Sequence, residues 1–128
     1  METRDVLFIG GEWVAPASDK TFTVTNPASL ETVAVVPEGT EADMDKAVAA
    51  AREAFDHGPW PHTSAKERAE VLRALSQGIQ ARMGEFSETI TKENGAPATF
   101  SMMGQVLAAT MVLDGFANAT ESFPFVEE

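Results

Sequence analysis

The chain has 128 residues, which is enough for one domain with an ordinary hydrophobic core. It carries 20 acidic and 9 basic side chains, and the resulting formal charge of -11 argues against binding to nucleic acid or anionic membranes. There is no cysteine, which excludes disulfides, thiolate metal sites and a thiol nucleophile within these residues.

Short strands are predicted in the first part of the chain. The opening residues contain no apolar segment long enough for a secretory signal, so we expect a cytoplasmic location. Val6–Val14 and Phe22–Thr25 have the composition of strands, and the turn-forming residues between them favour their pairing as a hairpin. Asn26-Pro27 ends the second strand, and Thr32–Val36 is a third strand that ends at Pro37.

Three helices are predicted next. Thr40 with Asp43, and later Ser64 with Glu67, form capping-box patterns that begin the first two helices. The first helix has an apolar face made of Met44, Ala47, Val48, Ala51 and Phe55, and the second has an inward set made of Leu72, Leu75, Ile79 and Met83. We expect Gly84 to end the second helix. The third helix, Glu85–Glu93, should end at the following Asn-Gly pair.

The segment Asn94–Leu113 contains no charged residue, and a fourth helix is predicted from about Ala98 onward. Its apolar residues lie around most of the circumference: Met102, Met103, Val106, Leu107, Ala109, Met111, Leu113 and Phe116. A helix that is apolar all round must be buried all round. Its length and its polar interruptions argue against a membrane span.

The rest of the chain can shield about two sides of this helix, so we expect additional protein to pack against it. After Gly115 the chain should lose regular structure and expose Phe123, Phe125 and Val126. The alternative is a small self-contained bundle with this helix at its centre.

No catalytic group can be assembled from the residues alone. His57 and His62 are separated by two prolines and lack an evident third ligand, so they are expected in a surface loop. Gly10-Gly11 lacks the spacing of a phosphate-binding loop. Composition and pattern therefore predict an α+β module without an assigned chemistry.

Several segments together resemble the opening of the aldehyde dehydrogenase superfamily. They are LFIGGEWV, FTVTNPAS, ETVAVVPEGTEADMDKAVAAAREAFDHGPW, SAKERAEVLRALSQGIQARMGEF and ETITKENGAP. The resemblance covers about residues 6–120 in order and spacing. Glu93 and Ala96 stand where the family often has Asp and Lys. The resemblance implies that residues 1–128 are the incomplete N-terminal portion of the α/β coenzyme-binding domain, with a hairpin, a short strand and about four helices.

The resemblance also implies a reaction. A complete protein would oxidise an aldehyde to a carboxylic acid with NAD or NADP, through a cysteine thiolate, hydride transfer and a glutamate that activates water. These groups and the dinucleotide-binding motifs would lie outside the 128 residues, so no catalytic or cofactor-binding residue is assigned. The chain alone is expected to be inactive and to bind no cofactor.

The expected partners are the remainder of the dehydrogenase, the aldehyde, and further copies in a dimer or tetramer. Nucleic acid and membranes are not expected as partners. The alternative is a free-standing binding or regulatory module that covers its apolar helix by self-association. An independent hydrolase that uses Ser or His would require turnover by the 128 residues themselves.

Two local roles follow from the resemblance. The backbone carbonyls of Val24 and Thr25, together with Glu93, correspond to ligands of a monovalent cation, since hard oxygen ligands suit Na⁺ and K⁺. The alternative is a strand end and a helix end that merely lie close together. Gly104 and Ala108 correspond to the wall of the substrate channel, where small residues predict a wide entrance. Core packing is the alternative for these two positions.

Overall fold

The computed structural model describes residues 2–120 and 122–125, and the chain divides into two compact units, Met1–His62 and Thr63–Glu128. In the described part of the first unit, the elements are β1 (Glu2–Thr3), β2 (Leu7–Ile9), β3 (Glu12–Val14), β4 (Thr21–Thr25), β5 (Thr32–Pro37), α1 (Glu41–His57) and a 3₁₀ turn (Trp60–His62). This content agrees with the predicted short strands followed by a helix.

The strands form two small sheets. In one sheet β5 lies between β1, which is parallel to it, and β4, which is antiparallel. In the other, β2 and β3 form a hairpin whose turn is Gly10 and Gly11, with φ of 64° and 87°. Two-residue hairpin loops with positive φ favour glycine because it has no Cβ. The predicted pairing of Val6–Val14 with Phe22–Thr25 is therefore wrong: the glycine pair folds the first segment back on itself.

Helix α1 begins at the predicted cap. The Thr40 hydroxyl accepts a hydrogen bond from the Asp43 N–H at 3.3 Å, and the Asp43 carboxylate accepts one from the Thr40 N–H at 3.0 Å. This reciprocal arrangement satisfies two backbone donors that a helix N-terminus leaves unpaired. Much of the predicted apolar face is not covered by the described residues, since Met44, Val48 and Phe55 are exposed.

The second unit is helical. Its elements are α2 (Ala65–Ala81), α3 (Met83–Asn94), α4 (Ala98–Phe100), a π-helical turn (Ser101–Val106) and α5 (Leu107–Ala119). The cap formed by Ser64 and Glu67 is present as predicted. Helix α2 ends at Ala81, with Arg82 as its cap, so the predicted break at Gly84 is wrong. Met83 and Gly84 both lie inside α3, which places Met83 outside the predicted inward set of the second helix. Gly95 ends α3 in the left-handed conformation, with φ of 67°.

Small side chains form the core of the second unit. Helix α2 packs against α5, and α3 packs against the π-helical turn. The buried residues on these helices are Ala69, Ser76, Ser87, Ser101, Val106, Thr110 and Ala117. Their hydroxyls are bonded, as buried polar groups require; the Ser76 hydroxyl, for example, donates to the Thr110 carbonyl at 3.4 Å. Leu75 is exposed, which corrects its place in the predicted inward set.

Helix α4, the π-helical turn and α5 form one continuous helix, Ala98–Ala119, of 22 residues. It extends beyond the predicted end at Gly115, and its exposed large apolar side chains are Phe100, Met102, Met103, Met111, Val112 and Phe116. We call this set the uncovered face. The expectation that this chain leaves much of the helix uncovered is confirmed. Phe123 and Phe125 are also exposed, whereas Val126 lies outside the described residues.

The argument from length against a membrane span is wrong. At 22 residues, with a mean hydropathy of 1.3 in its most apolar part, Ala98–Ala119 is long and apolar enough to cross a bilayer. Length and composition alone are weak evidence for a span, because the core helix of a soluble protein has the same properties.

Candidate functional site

The two carbonyls of the predicted cation set lie at the end of β4. The pairing of β4 with β5 shifts register between Val24 and Thr25, which marks a bulge at this position. The chain then turns at Asn26, whose side-chain oxygen accepts from the Ala28 N–H at 2.8 Å and from the Ser29 N–H at 3.3 Å. This turn fixes the direction in which the strand end leaves the sheet.

Glu93, the third member of the set, belongs to the second unit. It is exposed in the last turn of α3, where unpaired carbonyls give a helix end partial negative charge. A carboxylate beside such carbonyls favours a cation. The set is thus divided between the two units, and the three-residue cation site stays a prediction.

Gly104 and Ala108 lie on the Ala98–Ala119 helix, Gly104 within the π-helical turn and Ala108 one turn later. Gly104 is exposed and Ala108 is partly buried. The Leu107 N–H donates to the Met102 carbonyl, five residues back, which is the bond that widens this turn. Such π-helical turns occur frequently at functional sites. The role of Gly104 and Ala108 in a substrate channel stays a prediction.

The start of this helix is anchored on α3 by hydroxyl groups. The Thr91 hydroxyl donates to the Ser101 hydroxyl at 2.8 Å, and the Ser87 hydroxyl donates to the Ala98 carbonyl at 3.4 Å. Ser101 is fully buried. These contacts fix one side of the π-helical turn and leave Gly104 on an exposed side, and no sequence pattern indicated them.

A groove of about 620 Å³ lies between the β2–β3 hairpin and α1 in the first unit. Its walls are mainly apolar and include Phe8, Gly10, Ala47 and Ala54. Binding and catalytic sites combine such apolar walls with a few convergent polar groups. The acidic and basic members of the lining, Glu53 and His57, pair with each other at 3.0 Å and are both exposed. The groove therefore supports no catalytic assignment.

Two carboxylates with lowered pKa values have structural roles. Hydrogen bonds from the Thr40 N–H and hydroxyl lower the pKa of Asp43, and those from the Ser64 N–H and hydroxyl lower the pKa of Glu67. Both carboxylates cap helices. Among residues 2–120 and 122–125, no group of three or more His, Cys, Asp or Glu side chains is arranged to hold a metal ion.

Comparison with known proteins identifies the family. The model of the aldehyde dehydrogenase family matches residues 13–125. This chain belongs to the aldehyde dehydrogenase family. The sequence is 43% identical over 91 residues to aldehyde dehydrogenase 1 of Tanacetum cinerariifolium, a match that covers 71% of this chain and 18% of that protein. It is 32% identical over 122 residues to geranial dehydrogenase of Castellaniella defragrans, covering 95% of this chain and 25% of that protein.

The fold also matches solved dehydrogenases. The crystal structure of Mycobacterium tuberculosis aldehyde dehydrogenase complexed with NAD+ superimposes with a TM-score of 0.91 and 38% identity. That superposition covers 98% of this chain and 26% of the other. The chain thus spans about a fifth to a quarter of the length of these family members, in agreement with the N-terminal segment that its sequence predicts.

Proposed function

We propose that this chain is the N-terminal part of an aldehyde dehydrogenase that, when complete, oxidises an aldehyde to a carboxylic acid with NAD or NADP. The observation that carries the proposal is the family match over residues 13–125, and the uncovered face of Ala98–Ala119 supports it. Such an extended exposed apolar surface is typical of a segment that packs against more protein. The 128 residues contain no cysteine, so the thiolate nucleophile of the proposed reaction has to come from elsewhere.

The glycine pair of this chain does not have the arrangement of a dinucleotide-binding loop. Gly10 and Gly11 form a turn between two strands, whereas a phosphate-binding glycine loop opens onto a helix N-terminus. We therefore assign NAD or NADP binding to the remainder of the dehydrogenase. The proposed role of this chain is to supply structural elements that the rest of the enzyme packs against.

A monovalent cation site is the first local part of the proposal. The backbone at the Val24 and Thr25 bulge and the Glu93 carboxylate at the end of α3 are suitable sources of oxygen ligands. In the complete enzyme, we expect Glu93→Gln to reduce the gain in thermal stability that added K⁺ or Na⁺ produces. Glu88→Gln, on the same helix, is the control. An equal gain in wild type and Glu93→Gln would refute the site.

A substrate-channel wall is the second local part. Gly104 is exposed and Ala108 partly buried on a helix side that carries no charge, which suits an uncharged organic substrate. We expect Ala108→Leu in the complete enzyme to lower kcat/KM for broad aldehydes by about tenfold. Ala119→Leu, on an exposed position at the end of the same helix, is the control and should change it less than about twofold.

A cytoplasmic location and a dimer or tetramer complete the proposal. The apolar side chains exposed on the helices support association with other copies. A fluorescent fusion of the complete protein tests the location, and sedimentation tests the number of subunits. Fluorescence confined to an organelle would refute the cytoplasmic location, and a monomer at micromolar concentration would refute the dimer or tetramer.

The deciding experiment compares the complete dehydrogenase with the 128-residue chain. NADH or NADPH formation with a panel of aldehydes is expected from the complete protein only. The rival, a free-standing self-associating module, is favoured if the complete gene product has no aldehyde oxidation and the 128 residues form a stable, monodisperse oligomer. Turnover by the 128 residues alone would contradict the proposal directly.

A further inference from the structure

The aromatic ring of Phe100 lies directly over Gly104. A Cβ atom placed on Gly104 would lie 2.7 Å from Cε2 and 2.8 Å from Cδ2 of this ring, which is closer than non-bonded carbon atoms approach. The ring therefore occupies the space that a side chain at position 104 would fill. A side chain at position 104 would therefore displace the ring.

The ring is on the surface of the helix and belongs to the uncovered face. Phe100 is 56% exposed, and it immediately precedes the π-helical turn that carries Gly104. Residues four apart on a helix are neighbours, so a missing side chain at one leaves room for a large side chain at the other. The Phe100 ring thus fills part of the space that the small residue at 104 leaves on this side of the helix.

We propose that Phe100 is a specificity-determining residue that narrows the substrate channel at Gly104 and favours slender over broad aldehydes. The inference rests on the proposed function, in which Gly104 lines the channel. The physical reason is volume: an aromatic ring at the wall excludes a broad substrate, whereas an unbranched chain can pass beside it.

The chemistry of the wall also limits the substrate class. No charged residue lies between Asn94 and Leu113, and Phe100 and Met103 present exposed apolar surface. A charged group on the substrate would lose hydration here without gaining a partner. The preferred aldehydes are therefore uncharged and apolar in the part that passes this wall.

The first test removes the ring from the complete dehydrogenase. Hexanal and cyclohexanecarbaldehyde serve as slender and broad substrates, and the measured quantity is the ratio of their kcat/KM values. We expect Phe100→Ala to shift this ratio at least about tenfold toward the broad aldehyde, since steric differences of a few atoms are worth that much. Phe116→Ala removes another exposed ring from the same helix and should leave the ratio unchanged.

The second test moves the ring instead of removing it. Gly104→Ala adds the Cβ that clashes with the ring, so the ring must shift outward and the ratio should move toward the slender aldehyde. In the double variant Phe100→Ala with Gly104→Ala there is no ring to displace, so the ratio should return to that of Phe100→Ala. Thermal unfolding of each variant verifies that it is folded.

The outcomes separate this inference from the proposed function. If wild type oxidises aldehydes but the ratio of kcat/KM values changes by less than about twofold in Phe100→Ala, only the role of Phe100 is overturned. A Gly104→Ala effect that persists in the double variant would also overturn it, because the ring would not be its cause. If wild type oxidises no aldehyde, the proposed function fails and this inference fails with it.

Discussion

Asp43 joins two backbone segments of the first unit. It is only 3% exposed, and its carboxylate accepts hydrogen bonds from the Ala17 N–H at 3.0 and 3.2 Å and from the Thr40 N–H at 3.0 Å. Hydrogen bonds to the ionised form, first that of the Thr40 N–H, lower the pKa of Asp43. The same side chain that caps α1 thus holds the loop before β4.

The tether to Ala17 gives a prediction for amide exchange. In Asp43→Ala the Ala17 N–H loses its acceptor, so we expect its hydrogen exchange to accelerate by roughly tenfold or more. Asp45→Ala removes an exposed carboxylate from the same helix and serves as the control. Unchanged protection of the Ala17 amide in Asp43→Ala would show that the loop is held by other contacts.

The lowered pKa of Asp43 predicts how stability depends on pH. Since the folded state favours the ionised carboxylate, its stabilising contribution is fully present above the ordinary aspartate pKa of about 3.9. It is lost as the pH falls from there through the lowered pKa. We expect denaturant unfolding to show a gap in stability between wild type and Asp43→Ala that is constant near neutral pH and shrinks in acid. A stability difference between wild type and Asp43→Ala that widens in acid would contradict a lowered pKa for Asp43.

At the scale of elements, caps define where the helices begin and end. Gly95 ends α3 with φ of 67°, and its N–H donates to the Thr91 carbonyl at 3.0 Å. A left-handed residue at this position satisfies a carbonyl that the helix end would leave unpaired. Residues with a Cβ adopt this conformation at a cost, so the position selects glycine.

Two glycine substitutions should change stability in opposite directions. Gly95→Ala forces alanine into the left-handed region, and we expect a loss of about 1 kcal/mol in the free energy of unfolding. Gly78→Ala replaces an exposed glycine inside α2 with nothing near the new Cβ, so we expect a gain of about 0.5–1 kcal/mol. Denaturant unfolding measures both. If both substitutions changed the free energy of unfolding in the same direction, backbone conformation would not explain their effects.

At the scale of the whole chain, the uncovered face is the dominant feature. Its extent follows from the core of the second unit, in which one side of the Ala98–Ala119 helix packs on α2 and α3 through small residues. The other sides carry large apolar groups, including Met111 and Phe116, each 66% exposed. Exposed apolar surface of this extent promotes binding of apolar partners and association.

The isolated chain should therefore bind an apolar fluorescent dye or associate with increasing concentration. We expect Met111→Lys combined with Phe116→Lys to reduce both effects, because the lysines interrupt the uncovered face. Asp45→Lys changes the net charge by the same two units on another helix and is the control. A monomer that binds no dye at any concentration would contradict this expectation.

Structural features that depend on residues close together in the sequence could be predicted, whereas features that depend on distant contacts could not. The caps at Thr40 and Ser64 and the stop at Gly95 were predicted because each depends on residues three or four apart. The pairing of β4 was mispredicted, since strand order depends on contacts distant in sequence. The π-helical turn and the ring of Phe100 over Gly104 have no sequence signal that could have located them.

The sequence alone determined the family resemblance, the helix caps and the uncharged segment, because these depend on residue identity and short-range spacing. Only the tertiary structure decided which sides of that segment are covered, where α2 ends, and that Phe100 fills the space above Gly104. Burial and side-chain placement depend on which surfaces meet in three dimensions, and spacing along the chain does not specify those contacts.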